Sequence, residues 1–206
     1  MLGGSRGAGL IFATVTSPVA DVERWSAFKV FWFGLFHRTP KSNAVAVAEL
    51  SLRPGDRFVD LGCGLGAALE QAVATGCEVA GIDPSPTMVE RASRRVPSAD
   101  VRLGSVESIP FEDDRFTAAL SVSTFHHWAD PGAGLVEIRR VLAPAGRLLI
   151  VERKLKDGMG HGLDTDGATR LVELLGSFGY SSPGMSTVRV GRAEYLAVTA
   201  VDQTTE

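Results

Sequence analysis

The stretch RFVDLGCGLGAAL, residues 57–69, decides the fold of this chain. Phe58, Val59 and Leu61 form a buried-strand pattern, three glycines follow at two-residue spacing, and an alanine- and leucine-rich segment begins a helical pattern. This order predicts a strand, a tight turn and a helix. Glycine permits positive φ and leaves no Cβ beside the turn, and the helix directs unpaired N–H groups into the same space. The stretch therefore predicts a ligand pocket at the carboxyl end of the first strand.

The spacing of the glycines indicates which ligand this turn accepts. Dinucleotide-binding turns carry GxGxxG and place a pyrophosphate at the helix start. Here Gly62, Gly64 and Gly66 give GxGxG around Cys63, and Asp60 lies just before them. A carboxylate at that position repels a pyrophosphate and can accept hydrogen bonds from an ammonium, or it can help to hold the loop. The pattern favours a zwitterionic or nucleoside ligand over a dinucleotide.

A second acidic residue ends the next predicted strand, EVAGID, at Asp83. It lies about 20 residues after the first glycine, the offset of a ribose-binding carboxylate in nucleotide-binding βαβ units. Asp83 is therefore the strongest single candidate for a ligand contact. The alternative is an N-cap for the helix that opens at Pro86, a role that Ser85 can also fill.

Length and composition limit the number of domains, the class of protein and the kinds of partner. With 206 residues the chain fits one domain of ordinary size, and 45% apolar with 22% charged residues is typical of a globular protein. A formal charge of -3 gives no reason to expect nucleic acid or an anionic membrane as a partner. Cys63 and Cys77 form neither a metal-ligand spacing nor a disulfide framework, so we expect reduced thiols in a cytoplasmic protein and no metal.

Four blocks of sequence, in order, resemble a known family: VDLGCGLG (59–66), GIDPSPTMVERA (81–92), LGSVESIPFEDDRFTAALSVSTFHHWADP (103–131) and EIRRVLAPAGRLLIVE (137–152). They resemble the class I S-adenosylmethionine-dependent methyltransferases, in the small-molecule, UbiE-like (type 11) branch, over residues 52–201. Alternating strands and helices followed by a hairpin already indicate an α/β sandwich. The resemblance implies a Rossmann-like three-layer α/β/α sandwich whose seven-stranded, mostly parallel sheet has an antiparallel last strand.

The resemblance also implies the cofactor, S-adenosyl-L-methionine, with S-adenosyl-L-homocysteine as product. The cofactor-binding residues expected from the glycine turn, the second acid and the family positions are Asp60, Gly62, Cys63, Gly64, Gly66, Asp83, Pro84, Ser105, Val106 and Ser121. Two departures from the family are plain. Ser105 stands where an acid usually holds the adenine amine, with Glu107 as a possible substitute, and Phe116-Thr117 stands where FD is usual.

The segment SVSTFHHW, residues 121–128, follows a strand typical of burial on both faces. His126 and His127 are the only adjacent pair suited to proton transfer near neutral pH, so one of them is the candidate general base. A loop-fixing or packing role is the alternative. Adjacent side chains of a regular segment point apart, so we expect at most one of the two to enter the pocket.

The N-terminal segment is rich in aromatic residues. Helical spacing places Trp25, Trp32 and Phe36 on one face, which predicts either a helix packed on the core or, by the resemblance, a hydrophobic cover over the acceptor. With Trp128, these are the candidate substrate residues. We expect an N-terminal arm and helical cap over residues 1–55 and a methyltransferase core over 56–206. The apolar run GLIFATV is too short to span a membrane, so no stable membrane insertion is expected.

Taken together, the sequence predicts an S-adenosylmethionine-dependent methyltransferase, a one-carbon transferase acting on a small, apolar or aromatic metabolite. Two alternatives remain open: a protein that binds S-adenosylmethionine without methyl transfer, motivated by Ser105 and Thr117, and a nucleotide-dependent oxidoreductase, disfavoured by GxGxG and by Asp60.

Overall fold

The computed structural model describes residues 40–156 and 160–202. The aromatic segment with Trp25, Trp32 and Phe36 lies outside these ranges. The helices are α1 (Pro40–Glu49), α2 (Ala67–Val73), α3 (Pro86–Arg95), α4 (Pro131–Val141) and α5 (Thr165–Ser177), with a 3-10 turn at Phe125–His127. The strands are β1 (Arg57–Leu61), β2 (Glu78–Asp83), β3 (Asp100–Leu103), β4 (Phe116–Val122), β5 (Leu142–Arg153), β6 (Tyr180–Val190) and β7 (Ala193–Asp202).

The seven strands form one sheet in the order β3-β2-β1-β4-β5-β7-β6. Strands β1 to β5 pair in parallel, and β7 runs antiparallel to both β5 and β6. The chain order reverses between β1 and β4, so the loops that follow these strands diverge and leave a crevice at their carboxyl ends. This sheet confirms the fold class predicted from the sequence.

Helices cover both faces of the sheet and bury alternate residues of its strands. Phe58 packs in a cluster with residues of α1 to α3, whereas Val59 packs in a cluster with residues of α4 and α5. On the first face Ala46, Val47 and Leu50 are buried, so residues 40–50 pack on the sheet as part of the domain core. The rest of the expected cap, residues 1–39, lies outside the described ranges and stays a prediction.

One predicted turn is a bulge instead. The sequence Ala143-Pro144-Ala145-Gly146 predicts a turn into the fifth strand, but β5 already begins at Leu142, which pairs with Phe116. Pairing resumes when Ala118 meets Arg147, so four residues of β5 oppose one of β4. A Cβ at residue 146 would lie 2.7 Å from the carbonyl oxygen of Ala143, which explains the glycine there.

The unusual Phe116-Thr117 pair lies at the start of β4, at the edge of the sheet opposite the crevice. The hydroxyl of Thr117 donates to Asp56 Oδ1 over 2.7 Å, and Arg147 donates to Asp56 Oδ2 over 2.7 Å. Burial opposes ionisation of Asp56, but these hydrogen bonds lower its pKa overall. Thr117 therefore belongs to a polar cluster that joins β1, β4 and β5. No helix within the described ranges is both long and apolar enough to cross a membrane.

Candidate functional site

The glycine turn after β1 is closely packed beneath and open above. Gly62, Gly64 and Gly66 all have positive φ, at 82°, 52° and 76°. A Cβ at residue 62 would lie 2.7 Å from Cγ2 of Thr124, whereas a Cβ at residue 64 would meet no atom of the described residues within 4 Å. The turn is held from below, because the N–H groups of Gly62 and Cys63 both donate to the carbonyl of Ile82, over 2.9 and 2.8 Å. The backbone at Gly64 therefore faces an open cradle.

Asp83 joins this turn to the loop that follows β2. Its Oδ2 accepts from the N–H of Gly64 and its Oδ1 from the N–H of Ser85, each over 2.9 Å. Burial raises the pKa of Asp83, and these two hydrogen bonds oppose the rise. Ser85 is the N-cap residue of α3 without a side-chain capping bond. Since each carboxylate oxygen has two lone pairs, Asp83 braces the loops and can still accept from a ligand hydroxyl.

Asp60 is the second acid of the cradle, and it is only 4% exposed. No residue in the described part of the chain donates a hydrogen bond to its carboxyl group. Burial, with the negative charge of Asp83 as a smaller cause, raises the pKa of Asp60 to about 7. A buried carboxyl group without a donor partner, beside another carboxylate, suits a cationic ligand group.

A chain of hydroxyls links the ends of β1 and β4. Thr124 donates to the carbonyl of Leu61 over 3.0 Å, and the hydroxyls of Ser121 and Thr124 are 2.6 Å apart. Because the single hydroxyl proton of Thr124 goes to Leu61, Ser121 is the donor of the second bond. The side chain of Ser121 is fully buried. Ser121 thus helps to position the loop that follows β4, and its contact with the cofactor stays a prediction.

The remaining predicted cofactor residues lie just after the carboxyl ends of β1, β2 and β3. Cys63 is buried, and burial raises the pKa of its thiol, which fits packing and not nucleophilic chemistry. Pro84 is exposed beside Asp83, and Val106 is buried close behind β3. Ser105 forms an isolated bridge with Ser108.

Glu107, the possible substitute for the family's adenine-binding acid, holds a loop through the backbone of that loop, and its role at the adenine stays a prediction. Its Oε1 accepts from the N–H of Ala129 over 2.8 Å and from that of Asp130 over 3.4 Å. These bonds secure the backbone just after Trp128, whose ring lies 4.9 Å from that of Phe125 in an edge-on contact. Glu107 thus holds the end of the segment 123–130, and Thr124 holds its start through the carbonyl of Leu61.

The two adjacent histidines lie side by side, and the expectation that their side chains point apart is wrong. Their ring centroids are 4.0 Å apart. The expectation assumed a regular segment, but Ser123 adopts a left-handed φ of 55° and the next residues form a single 3-10 turn. This irregular backbone places both imidazoles on one side of the loop.

Glu152, which the sequence analysis did not single out, orients the first of these rings. It is 1% exposed at the carboxyl end of β5. Its Oε1 accepts from the N–H of Phe125 over 2.8 Å, and its Oε2 lies 2.9 Å from Nδ1 of His126. A carboxylate can only accept, so Nδ1 carries the proton and Nε2 of His126 is left free. The sequence does contain one signal for Glu152, because it is the charged residue that ends the buried run RLLIVE, residues 147–152.

A third imidazole completes the group. The glycine-rich sequence around His161 predicts an exposed side chain, and His161 is exposed. Its ring centroid nevertheless lies 5.3 Å from that of His126 and 5.7 Å from that of His127. Partial burial, followed by the neighbouring His126 and His161, lowers the pKa of His127. The sequence placed these residues on separate loops and gave no sign of this contact.

Comparisons with known proteins define the class. The fold is that of the S-adenosylmethionine-dependent methyltransferases: a crystal structure of such an enzyme from Aquifex aeolicus matches with a TM-score of 0.70 at 22% identity, over 84% of this chain and 97% of that one. Residues 59–150 match the family described as "Methyltransferase domain". The resemblance found in the sequence, with S-adenosylmethionine as its cofactor, is therefore confirmed for the fold and for residues 59–150.

Two curated relatives each match about half of the chain. An uncharacterized 37.1 kDa protein in transposon TN4556 of Streptomyces fradiae is 42% identical over 53% of this chain and 33% of its own length. The 27-O-demethylrifamycin SV methyltransferase of Amycolatopsis mediterranei is 36% identical over 49% of this chain and 40% of its own length. The chain thus spans less than half the length of either relative.

The open space above Gly64 gives a test of the cradle. Gly64 and Gly55 both have positive φ with no atom within 4 Å of an added Cβ, but Gly55 precedes β1 at the opposite edge of the sheet. Replacing either by alanine should cost about 1 kcal/mol of unfolding free energy, because alanine disfavours this φ. Only Gly64→Ala should also weaken S-adenosylmethionine binding, measured by calorimetry. Equal cofactor affinity in the two variants would contradict the cradle.

Proposed function

We propose that this chain is an S-adenosylmethionine-dependent methyltransferase acting on a small, apolar or aromatic metabolite. The observation that carries the proposal is the open cradle above Gly64, bounded by the buried carboxyl groups of Asp60 and Asp83. Asp60, which accepts no hydrogen bond from the described residues, suits the ammonium of the cofactor. Asp83, whose oxygens keep lone pairs to spare, suits the two ribose hydroxyls. The cradle therefore fits the amino acid and nucleoside parts of this cofactor.

The residues of the chain divide the work between binding and proton transfer. Bound S-adenosylmethionine supplies a methyl group on a positively charged sulfur, so the protein mainly has to align an acceptor and exclude water. Asp60 offsets positive charge, Asp83 holds the ribose, and the turn from Gly62 to Gly66 lets the cofactor approach the backbone.

The imidazole side of the crevice is the proposed place for acceptor activation. His126 is the better general base of the adjacent pair, because Glu152 fixes its Nδ1 proton and leaves Nε2 to take a proton from the acceptor. Glu152 also stabilises the imidazolium that forms. Trp128, packed on Phe125, supports an aromatic or apolar acceptor. Trp25, Trp32 and Phe36 are proposed to cover that acceptor.

Location and partners follow from the same residues. Cys63 and Cys77 are both free thiols, which supports the proposed cytoplasmic location. The proposed partner is a small methyl acceptor, without nucleic acid and without stable insertion into a membrane.

Calorimetry with S-adenosylmethionine, combined with a methyl-transfer assay on a panel of small hydroxylated and aromatic acceptors, tests the proposal. We expect binding of the cofactor and turnover of at least one acceptor. Binding without turnover on any acceptor supports a cofactor-binding protein without methyl transfer. Binding of NADH in place of S-adenosylmethionine would support an oxidoreductase and refute the proposal.

Replacing Asp83 should weaken the cofactor complex. Asp83→Ala removes charge-assisted hydrogen bonds to the ribose and the brace on Gly64, at a cost of about 1 to 3 kcal/mol in binding. The exposed Asp166→Ala, in the first turn of α5, is the control for loss of one negative charge. Isothermal titration of both variants checks the difference, and unchanged affinity in Asp83→Ala would remove this residue from the site.

Asp60 should make cofactor binding depend on pH. Its pKa in the free protein is raised to about 7, so near neutrality a proton often occupies the carboxyl group. A cation placed beside it favours the ionised form, so binding releases the proton and affinity rises with pH. Between pH 6 and 8 the gain should approach about tenfold for one proton.

Asp60→Asn isolates this effect. In this variant the affinity should no longer rise with pH through ionisation of residue 60. Titration of the ligand's own amine affects the variant and the unaltered protein equally, so it cancels in the comparison. Calorimetry in buffers of different ionisation enthalpy counts the released protons directly. Identical pH profiles for Asp60→Asn and the unaltered protein would show that Asp60 does not face the cofactor.

A further inference from the structure

We propose that His126, His127 and His161 form a binding site for a divalent transition metal ion, with Zn²⁺ as the reference ion. One ligand atom from each side chain lies within 4.8 Å of the other two. The residues come from two separate loops, after β4 and after β5, which meet at the carboxyl edge of the sheet. Nothing in the spacing of the histidines along the chain predicts this cluster.

The geometry is close to what three imidazole ligands require. Zn–N bonds are about 2.0 to 2.1 Å long, so ligand nitrogens around a tetrahedral ion lie roughly 3.3 Å apart. The nitrogens already lie within 4.8 Å of one another, and rotation of exposed side chains can bring them to that separation, since both His127 and His161 are exposed. Three histidines leave a fourth coordination position open, as in zinc sites that bind water or a substrate.

A buried carboxylate supports the first ligand. Histidine ligands usually donate their second N–H to a carboxylate or carbonyl, which fixes the tautomer and raises the basicity of the bound nitrogen. Glu152 holds Nδ1 of His126 in this way over 2.9 Å and is itself anchored by the N–H of Phe125. The free nitrogen, Nε2, is then the one available to an ion. The negative charge of Glu152 also offsets part of the positive charge.

The loop that carries His161 is held in place by the end of β5. The N–H of Leu163 donates to the carbonyl of Arg153 over 3.0 Å, and the N–H of Leu155 donates to the carbonyl of Leu163 over 2.8 Å. Gly162 has a φ of 149°, and a Cβ there would collide with the carbonyl oxygen of Arg153. This close approach fixes the backbone directly after His161, so the third ligand is already placed beside the other two.

Metal binding itself is independent of methyl transfer, whereas its role in the reaction rests on the proposed function. An acceptor hydroxyl at the open position has its pKa lowered by the ion, so it loses its proton to water more readily. With the ion present, Nε2 of His126 is a ligand and not the base. The acceptor oxygen then keeps the electron pair that forms the bond to the methyl carbon. The bond from that carbon to sulfur breaks, and its electron pair stays on the sulfur of S-adenosylhomocysteine.

Metal binding is tested on the full chain without a histidine tag, after treatment with chelator and in the absence of cofactor and acceptor. Titration with Zn²⁺ by calorimetry should give one ion per chain. Co²⁺ should give the visible absorption of a four-coordinate nitrogen and oxygen site. His161→Ala, on an exposed loop, should abolish both signals while thermal unfolding of the metal-free protein stays unchanged.

Two further variants separate a built site from general affinity of imidazole for metals. Glu152→Gln should weaken Zn²⁺ binding by about 10- to 100-fold, because it removes the charge behind His126. His37→Gln replaces the only other histidine of the chain and should leave Zn²⁺ affinity unchanged. An equal loss in His37→Gln, no loss in His161→Ala, or a near-ultraviolet thiolate band with Co²⁺ would each overturn the proposal.

The result is separable from the methyl-transfer assay. If Zn²⁺ binds as expected and no acceptor is methylated, the metal site stands and the proposed function fails. If no metal binds while an acceptor is methylated, the metal site fails and His126 remains the base.

Discussion

The carboxylate of Asp83 is the interaction on which the arrangement of the crevice depends. One oxygen holds the N–H of Gly64 and the other holds the N–H of Ser85, so a single side chain fixes two loops that follow neighbouring parallel strands. Hydrogen bonds to a charged group contribute about 1.5 to 3 kcal/mol each, more than neutral ones. The glycine turn therefore keeps its shape without help from a ligand. With respect to the described residues, the space above Gly64 is thus left by the fold itself.

Asp60 shows that the crevice is built at some cost to stability. Its pKa rises from 3.8 to about 7 in the folded chain. The folded state thus holds this proton more tightly than the unfolded state. The contribution of this group to the free energy of unfolding is complete below the unfolded pKa of 3.8. It is lost as pH rises through the folded pKa of about 7, by up to about 4 kcal/mol in all. An asparagine would avoid this loss, which is consistent with a carboxyl group kept for binding a cation.

The fold was predictable because its signals are local. Buried runs such as those around Phe58 and Leu120, and a glycine turn with positive φ, specify strands and loops without reference to distant residues. The positions of Asp60 and Asp83 near the carboxyl ends of β1 and β2 were predictable for the same reason, since the end of a strand can be recognised in the sequence. Their hydrogen bonds could not, because these depend on how β1 and β2 are aligned.

The imidazole side of the crevice was not predictable in the same way. Glu152 reaches His126 because β5 lies next to β4 in a particular register, in which Val122 faces Val151. That register depends on the bulge before Arg147, which has no clear sequence signal. His161 joins the group through backbone bonds of a glycine-rich loop. Long-range register and loop geometry decided these contacts, whereas composition suggested only a mobile, charged segment.

The two sides of the crevice differ in charge, and this difference bears on the acceptor. Asp60 and Asp83 provide negative charge on the cofactor side, where a sulfonium and an ammonium are favoured. Across the loop held by Thr124, three imidazoles face a single carboxylate, that of Glu152. A divalent ion bound there leaves a net positive charge, which opposes a cationic acceptor. An acceptor with an ionisable hydroxyl suits this arrangement, because the anion left after loss of its proton is attracted by the sulfonium of the cofactor on one side and by the proposed ion on the other.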